Sequence, residues 1–161
     1  MTVAEYNRCV DLFSDNVYRF VLKSLRDTET ARDVVQESFL RLWENRQAVV
    51  PGKEKSYLFT IAYRLLIDQV RHRDRYAGSE PLRNQSNGSE GGYNNLDQVL
   101  SKALDTLNDQ QRNLILLRDY EGYSYREIGE MTGLTEAQVK VYIFRARVTL
   151  KEKIGPLQEI L

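Results

Sequence analysis

Arg64, Arg71 and Arg75 stand seven and four residues apart, a spacing that puts three guanidinium groups on one face of a helix. Arg73, Lys53 and Lys55 lie close by, with Tyr57, Phe59, Tyr63 and Tyr76 interleaved among them. Cations that track a phosphate backbone, set among rings able to stack on unpaired bases, suit single-stranded nucleic acid better than a closed duplex. The same pattern also fits a solvated helix face backed by core aromatics, and spacing alone leaves both open. Asp68, four residues after Arg64 and four before His72, is placed for intrahelical ion pairing rather than acid catalysis.

A second basic cluster lies near the C-terminus. Between Gln138 and Lys153 the basic residues are Lys140, Arg145, Arg147, Lys151 and Lys153, against Glu152 alone. A helix so charged gains from phosphate neutralisation in the major groove, where Lys or Arg can read guanine edges and Gln138 can pair with adenine. From Asp97 to Glu136 the balance reverses, with eight acidic residues against four basic ones.

Other chemistries have few residues to work with. His72 is the single histidine and Cys9 the single cysteine, which excludes a disulfide scaffold and a cysteine-ligated zinc site and leaves no ligand set for another metal. No nucleophile or cofactor motif accompanies His72, so no catalytic residue, metal or cofactor is expected and the chain does not read as an enzyme. Cys9 reads as a small apolar core residue.

The elements that must hold these clusters are helical. Tyr6, Val10, Phe13, Val17, Phe20 and Val21 recur at helical steps over about residues 2–25. Asp27 and Thr28 can cap a second helix, whose apolar face is Ala31, Val34, Val35, Phe39, Leu42 and Trp43 and which stops before Pro51-Gly52. A third runs over about 56–75, with Leu58, Ile61, Ala62, Leu65 and Leu66 as its expected buried stripe. Residues 77–95, AGSEPLRNQSNGSEGGYNN, have no periodicity and four of the nine glycines, and read as a flexible linker.

Beyond it, Leu96, Val99, Leu100, Ala103, Leu104 and Leu107 repeat at helical spacing, and Asn108 or Asp109 can cap a further helix carrying Leu114, Ile115 and Leu117. Two capping boxes follow, Ser124 with Glu127 and Thr135 with Gln138. A short helix ending at Met131-Thr132, a tight turn at Gly133 and a new helix after Leu134 have the grammar of a helix-turn-helix, with Ile128, Leu134, Val139 and Ile143 as its shared core. A plain helical hairpin is the bland alternative. No segment alternates with strand periodicity. The expected fold is therefore all-α: two small helical lobes joined by a flexible linker, the second ending in a helix-turn-helix, over residues 1–76, 77–95 and 96–161.

The opening residues carry charges and no apolar run of signal type, so they read as mature structure. The longest apolar run, Tyr57 to Ile67, is broken by Thr60 and Arg64 and is too short to cross a bilayer. The expected location is the cytoplasm.

These features together resemble the extracytoplasmic-function group of the bacterial RNA polymerase sigma-70 family. TETARDVVQESFLRLW (28–43) resembles that family's polymerase-clamp-binding helix, SYLFTIAYRLLIDQVRHRDR (56–75) the helix at the −10 element, and residues 107–151 the −35-binding domain. The resemblance implies that Asp33, Gln36 and Glu37 bind core polymerase, although Asp33 and Glu37 alone are also an ordinary acidic bias near a helix start. It implies that Lys53, Lys55, Tyr57, Tyr63, Arg64 and Arg71 line the melted −10 strand, and that Gln138, Lys140, Phe144, Arg145 and Arg147 meet the −35 duplex. Many relatives carry a small polar residue and then Arg where this chain has Val141 and Tyr142, so a different hexamer is expected.

The implied function is an alternative-type sigma factor that binds core RNA polymerase, recognises both promoter elements and promotes melting, with promoter DNA and an anti-sigma factor as further partners. A helix-turn-helix regulator without stable polymerase binding would explain only residues from Leu96 onward, and a helical adaptor would need no DNA contact. Lys+Arg and Asp+Glu are equal at 23 each, yet Lys53–Arg75 carries six basic residues to three acidic. The zero is a sum of opposed segments, and predicts weak DNA binding by the isolated chain.

Overall fold

In the computed structural model, residues 1–75 and 95–158 are described, and the chain divides into two compact units. Among the described residues every regular element is helical. Tyr76 and almost all of the linker expected over 77–95 lie outside the described residues; Asn95 already opens a helix.

The first unit is built from three helices. Thr2 caps α1 (Val3–Leu25) through a reciprocal box: its hydroxyl accepts the Glu5 amide at 3.1 Å, and the Glu5 carboxylate accepts the Thr2 amide at 2.7 Å. Only Arg26 and Asp27 separate α1 from α2 (Thr28–Glu44). Reversing the chain in two residues puts Arg26 in the left-handed region, φ 61°, while its amide closes on the Leu22 carbonyl at 2.7 Å. Asp27 then caps α2 by accepting from the Glu29 amide.

A single 3-10 turn, Arg46–Ala48, leads into α3 (Glu54–Arg75). The core between the three helices consists of Val17, Phe20, Val21, Ala31, Leu42, Leu58, Phe59, Ala62 and Leu66, all fully buried. Ile61 and Leu65 are half-buried rather than buried, whereas Phe59 packs against Phe20 with ring centroids 5.6 Å apart. Phe59 is thus a core ring and not one that could stack on a base.

The second unit holds α4 (Asn95–Asp105), α5 (Asp109–Ile115), α6 (Tyr125–Thr132) and α7 (Glu136–Gln158). Asn108 caps α5 with Gln111 as its reciprocal partner. Arg112, almost wholly buried, donates to the carbonyls of Leu104 at 3.1 Å and Leu107 at 2.8 Å and pairs with Asp109 at 2.8 Å. One guanidinium thereby ties down the end of α4, donating to the Leu107 carbonyl and adding a second donor to the Leu104 carbonyl, which already accepts the Leu107 amide at 3.1 Å.

α5 runs on into a single π turn, Leu116–Tyr120, which the periodicity does not predict; the Glu121 amide bonds to Leu116 O at 3.0 Å and Tyr123 to Leu117 O at 3.1 Å. Leu114, Leu116, Leu117, Ile128, Val139, Ile143 and Ala146 form the centre of this unit's core, and Leu134 is half-buried at its edge.

Candidate nucleic-acid interface

α6, its turn and α7 are locally determined. Ser124 and Thr135 each form the expected capping box, with Glu127 and Gln138. Gly133 ends α6 at φ 85°, a backbone state that a side chain would strain. Gly129 answers a different need: a Cβ there would stand 2.8 Å from the Leu134 backbone oxygen, so the crossing of α6 with the turn depends on its bare backbone. These features make the segment a helix-turn-helix and not an open hairpin.

On the outward side of α7, Gln138, Lys140, Val141, Phe144 and Arg145 are exposed, Phe144 most among the apolar ones at 67%. Lys140 reaches Glu136 only loosely at 3.9 Å, and its ammonium lies 5.8 Å from the Tyr125 ring centre. Gln138 is partly committed: its carboxamide oxygen accepts the Thr135 amide at 2.9 Å, so two-point adenine pairing must share that oxygen with the cap. Arg147 is committed further, because it grips Asp119 of the π turn at 2.6 Å. That hydrogen bond raises the Arg147 pKa above its already high ordinary value. Beside it, Arg118 stacks 4.3 Å over Tyr125 and donates to the Tyr123 carbonyl. Asp119, Arg118 and Tyr125 were not legible as site residues, since only the π turn and the return of α7 bring them together.

In the first unit, Lys53, Arg64 and Arg71 are exposed and Tyr57 and Tyr63 half-buried. Burial pushes the Tyr63 pKa up, with a smaller opposing effect from Arg71. Lys55 turns back toward α1, its ammonium 5.9 Å from the Phe13 ring. Asp33 and Gln36 are exposed on α2, two turns and one turn before Leu40, which is 49% exposed. Glu37, on the same helix, is paired with Arg41 at 2.9 Å. Asp33, Gln36, Glu37 and Leu40 thus offer one mixed acidic and apolar surface. No group of residues that could hold a metal occurs among the described residues, and no helix among them is long and apolar enough to cross a membrane.

Comparison with known proteins places both units in one family. Residues 9–76 match the family described as sigma-70 region 2, and residues 97–150 the one described as sigma-70, region 4. SigW of Bacillus subtilis, an ECF RNA polymerase sigma factor, is 30% identical over 92% of this chain and 88% of its own length. The chain belongs to the extracytoplasmic-function group of RNA polymerase sigma factors. SigM of B. subtilis shares 29% identity with this sigma factor over 87% of the chain and 89% of the relative. SigE of Mycolicibacterium smegmatis shares 30%, over 93% of the chain but only 62% of that longer relative. Among solved structures, the sigma factor RpoE of Bartonella quintana, crystallised with the anti-sigma factor NepR, superposes with a TM-score of 0.83 at 25% identity, over 95% of this chain and 98% of that one.

Proposed function

We propose that this chain binds core RNA polymerase, directs it to promoters through a −35 and a −10 element, and assists melting at the second. What carries the reading is one observation: a helix-turn-helix with an exposed basic α7 shares the chain with a separate helical unit bearing the α2 acidic face. A free-standing helix-turn-helix regulator needs only the first of these.

In this reading residues 1–76 and 96–161 work as two binding modules, and 77–95 tether them. Asp33, Gln36 and Glu37 on α2 contact the polymerase, with Leu40 as an apolar neighbour at the same surface. Lys53, Arg64 and Arg71 follow the backbone of the melted strand, Lys55 adds charge from its place against Phe13, and Tyr57 and Tyr63 supply the stacking edges. Phe59 has no part in this, being core. Capturing an unpaired base stabilises the open form, so melting requires positioning and no bond cleavage; the chain acts without a cofactor and is not an enzyme. Lys140, Phe144 and Arg145 meet the −35 duplex, Gln138 contributes from the cap, and Arg147 holds α7 in place through Asp119. The site of action is the cytoplasm, where an anti-sigma factor covering either module would silence the chain.

Run-off transcription with core polymerase on the DNA upstream of the protein's own gene tests this. The expected result is a discrete transcript that disappears in the combined Asp33→Ala/Gln36→Ala variant and weakens in Lys140→Ala and Arg145→Ala, by about 1–3 kcal/mol for each base contact removed. Promoter binding without polymerase capture would favour the regulator instead.

A further inference from the structure

Val141 stands out on α7. It is 43% exposed, sixth in a helix that opens at Glu136, and flanked by the cations Lys140 and Arg145. Phe144, one turn on, is exposed as well. A β-branched residue at an open helix position lowers helix propensity and, half in solvent, recovers only part of the gain of burial. Folding of the unit therefore gives little reason for valine there.

The neighbouring charges decide what could cover it. A purely apolar partner would have to desolvate Lys140 and Arg145, whereas a duplex offers phosphates to both and an apolar group between them. In the major groove that apolar group is the C5 methyl of thymine. Position matters too, because the N-terminal turns of the second helix of a helix-turn-helix are the ones that approach base edges. We propose that Val141 is a specificity-determining residue of the −35 contact, reading one thymine through its methyl group. This rests on the sigma-factor reading above and adds to it one base that the chain selects.

Deoxyuridine differs from thymidine by that methyl alone, which makes the test direct. Full-length protein with core polymerase is assayed on the promoter mapped by run-off transcription, in duplexes where each thymine of the −35 element, on either strand, is replaced singly by deoxyuridine. Wild-type holoenzyme should need about fourfold more protein for half-occupancy at one replaced position, the value of one buried methyl group. Val141→Ala should bind the unmodified duplex about as weakly as wild type binds the deoxyuridine duplex, and should show no further loss on it. Because the residue is exposed and alanine favours helix, the variant should keep its far-UV circular dichroism. If no thymine shows a methyl effect, if the effect persists in Val141→Ala, or if the element contains no thymine, the inference is overturned while the sigma reading stands. Absence of any sigma-dependent transcript would overturn both.

Discussion

Arg147 on α7 and Asp119 in the π turn, 28 residues apart, are joined by two contacts, Nη2 to Oδ1 at 2.6 Å and Nε to Oδ2 at 3.3 Å. The π turn matters here: widening one turn of the α5 segment alters the direction of the residues it contains, and Asp119 lies within it. The pair fixes the basic helix against the element before the helix-turn-helix. The side chains are 46% and 38% exposed, so solvent screening holds the pair to about 1 kcal/mol or less.

Asp119→Ala, Arg147→Ala and the double variant should therefore each lower the stability of the second unit by a similar, small amount, about 0.5–1 kcal/mol, the double costing no more than either single. Promoter occupancy should weaken equally in the two singles. A loss confined to Arg147→Ala would identify a direct phosphate contact instead.

Gly129→Ala should be far more damaging than its helix propensity suggests. Alanine would favour α6 by about 1 kcal/mol, but its Cβ would press on the Leu134 backbone oxygen at 2.8 Å, and forcing the turn to move costs about 1–3 kcal/mol. Trp43, the single tryptophan, lies in the first unit. Urea unfolding followed by far-UV circular dichroism should show an early loss of helix while the Trp43 fluorescence transition stays where it was. Coincident shifts of both would contradict the assignment of the clash to the second unit.

Arg112 should prove indispensable and not replaceable by lysine. Its removal takes the donor from the buried Leu107 carbonyl and leaves the Leu104 carbonyl with the Leu107 amide alone, a loss of about 1–3 kcal/mol for the stranded group. Lysine carries the charge but not the planar fork that reaches both carbonyls and Asp109 together. Arg112→Lys should recover less than half of the loss measured for Arg112→Ala by thermal unfolding.

Alkaline pH should loosen the first unit through Tyr6. Its hydroxyl donates to the Phe39 carbonyl at 3.1 Å, and burial raises its pKa above the ordinary value of 10.0. The folded state therefore holds the proton more tightly than the unfolded chain. That contribution is complete below pH about 10 and is lost as pH rises through the folded-state value. Trp43, whose ring centroid is 5.0 Å from that of Tyr6, reports the change. Between pH about 8 and about 11 the unfolding midpoint should fall less in Tyr6→Phe than in wild type; equal falls would rule Tyr6 out as the cause.

Much of the helical layout was legible because its causes are local. A capping box needs residues three apart, and Thr135 with Gln138 formed as spaced. Gly133 took the left-handed turn between α6 and α7, and the apolar residues Ile128, Val139 and Ile143 went inside. Residue type and short spacing are sufficient for such features, since the interacting groups lie within a turn or two of each other.

Local spacing could not say which aromatic beside the arginines would be core. Phe59 is buried because Phe20 arrives from α1 to cover it, while Tyr63, one turn further along α3, keeps a wet edge. Nor could counting charges separate cations by duty: Arg145 is exposed on α7, Arg147 is held by Asp119, Lys55 turns toward Phe13, and Arg112 is spent on carbonyls. The amino-acid sequence alone determined where the main helices lie, the capping boxes at Ser124 and Thr135, the helix-turn-helix and the opposed charge of its segments. Only the tertiary structure decided which of those charges and rings remain available to a partner, because burial and ion pairing are set by groups that the chain brings back from far along its length.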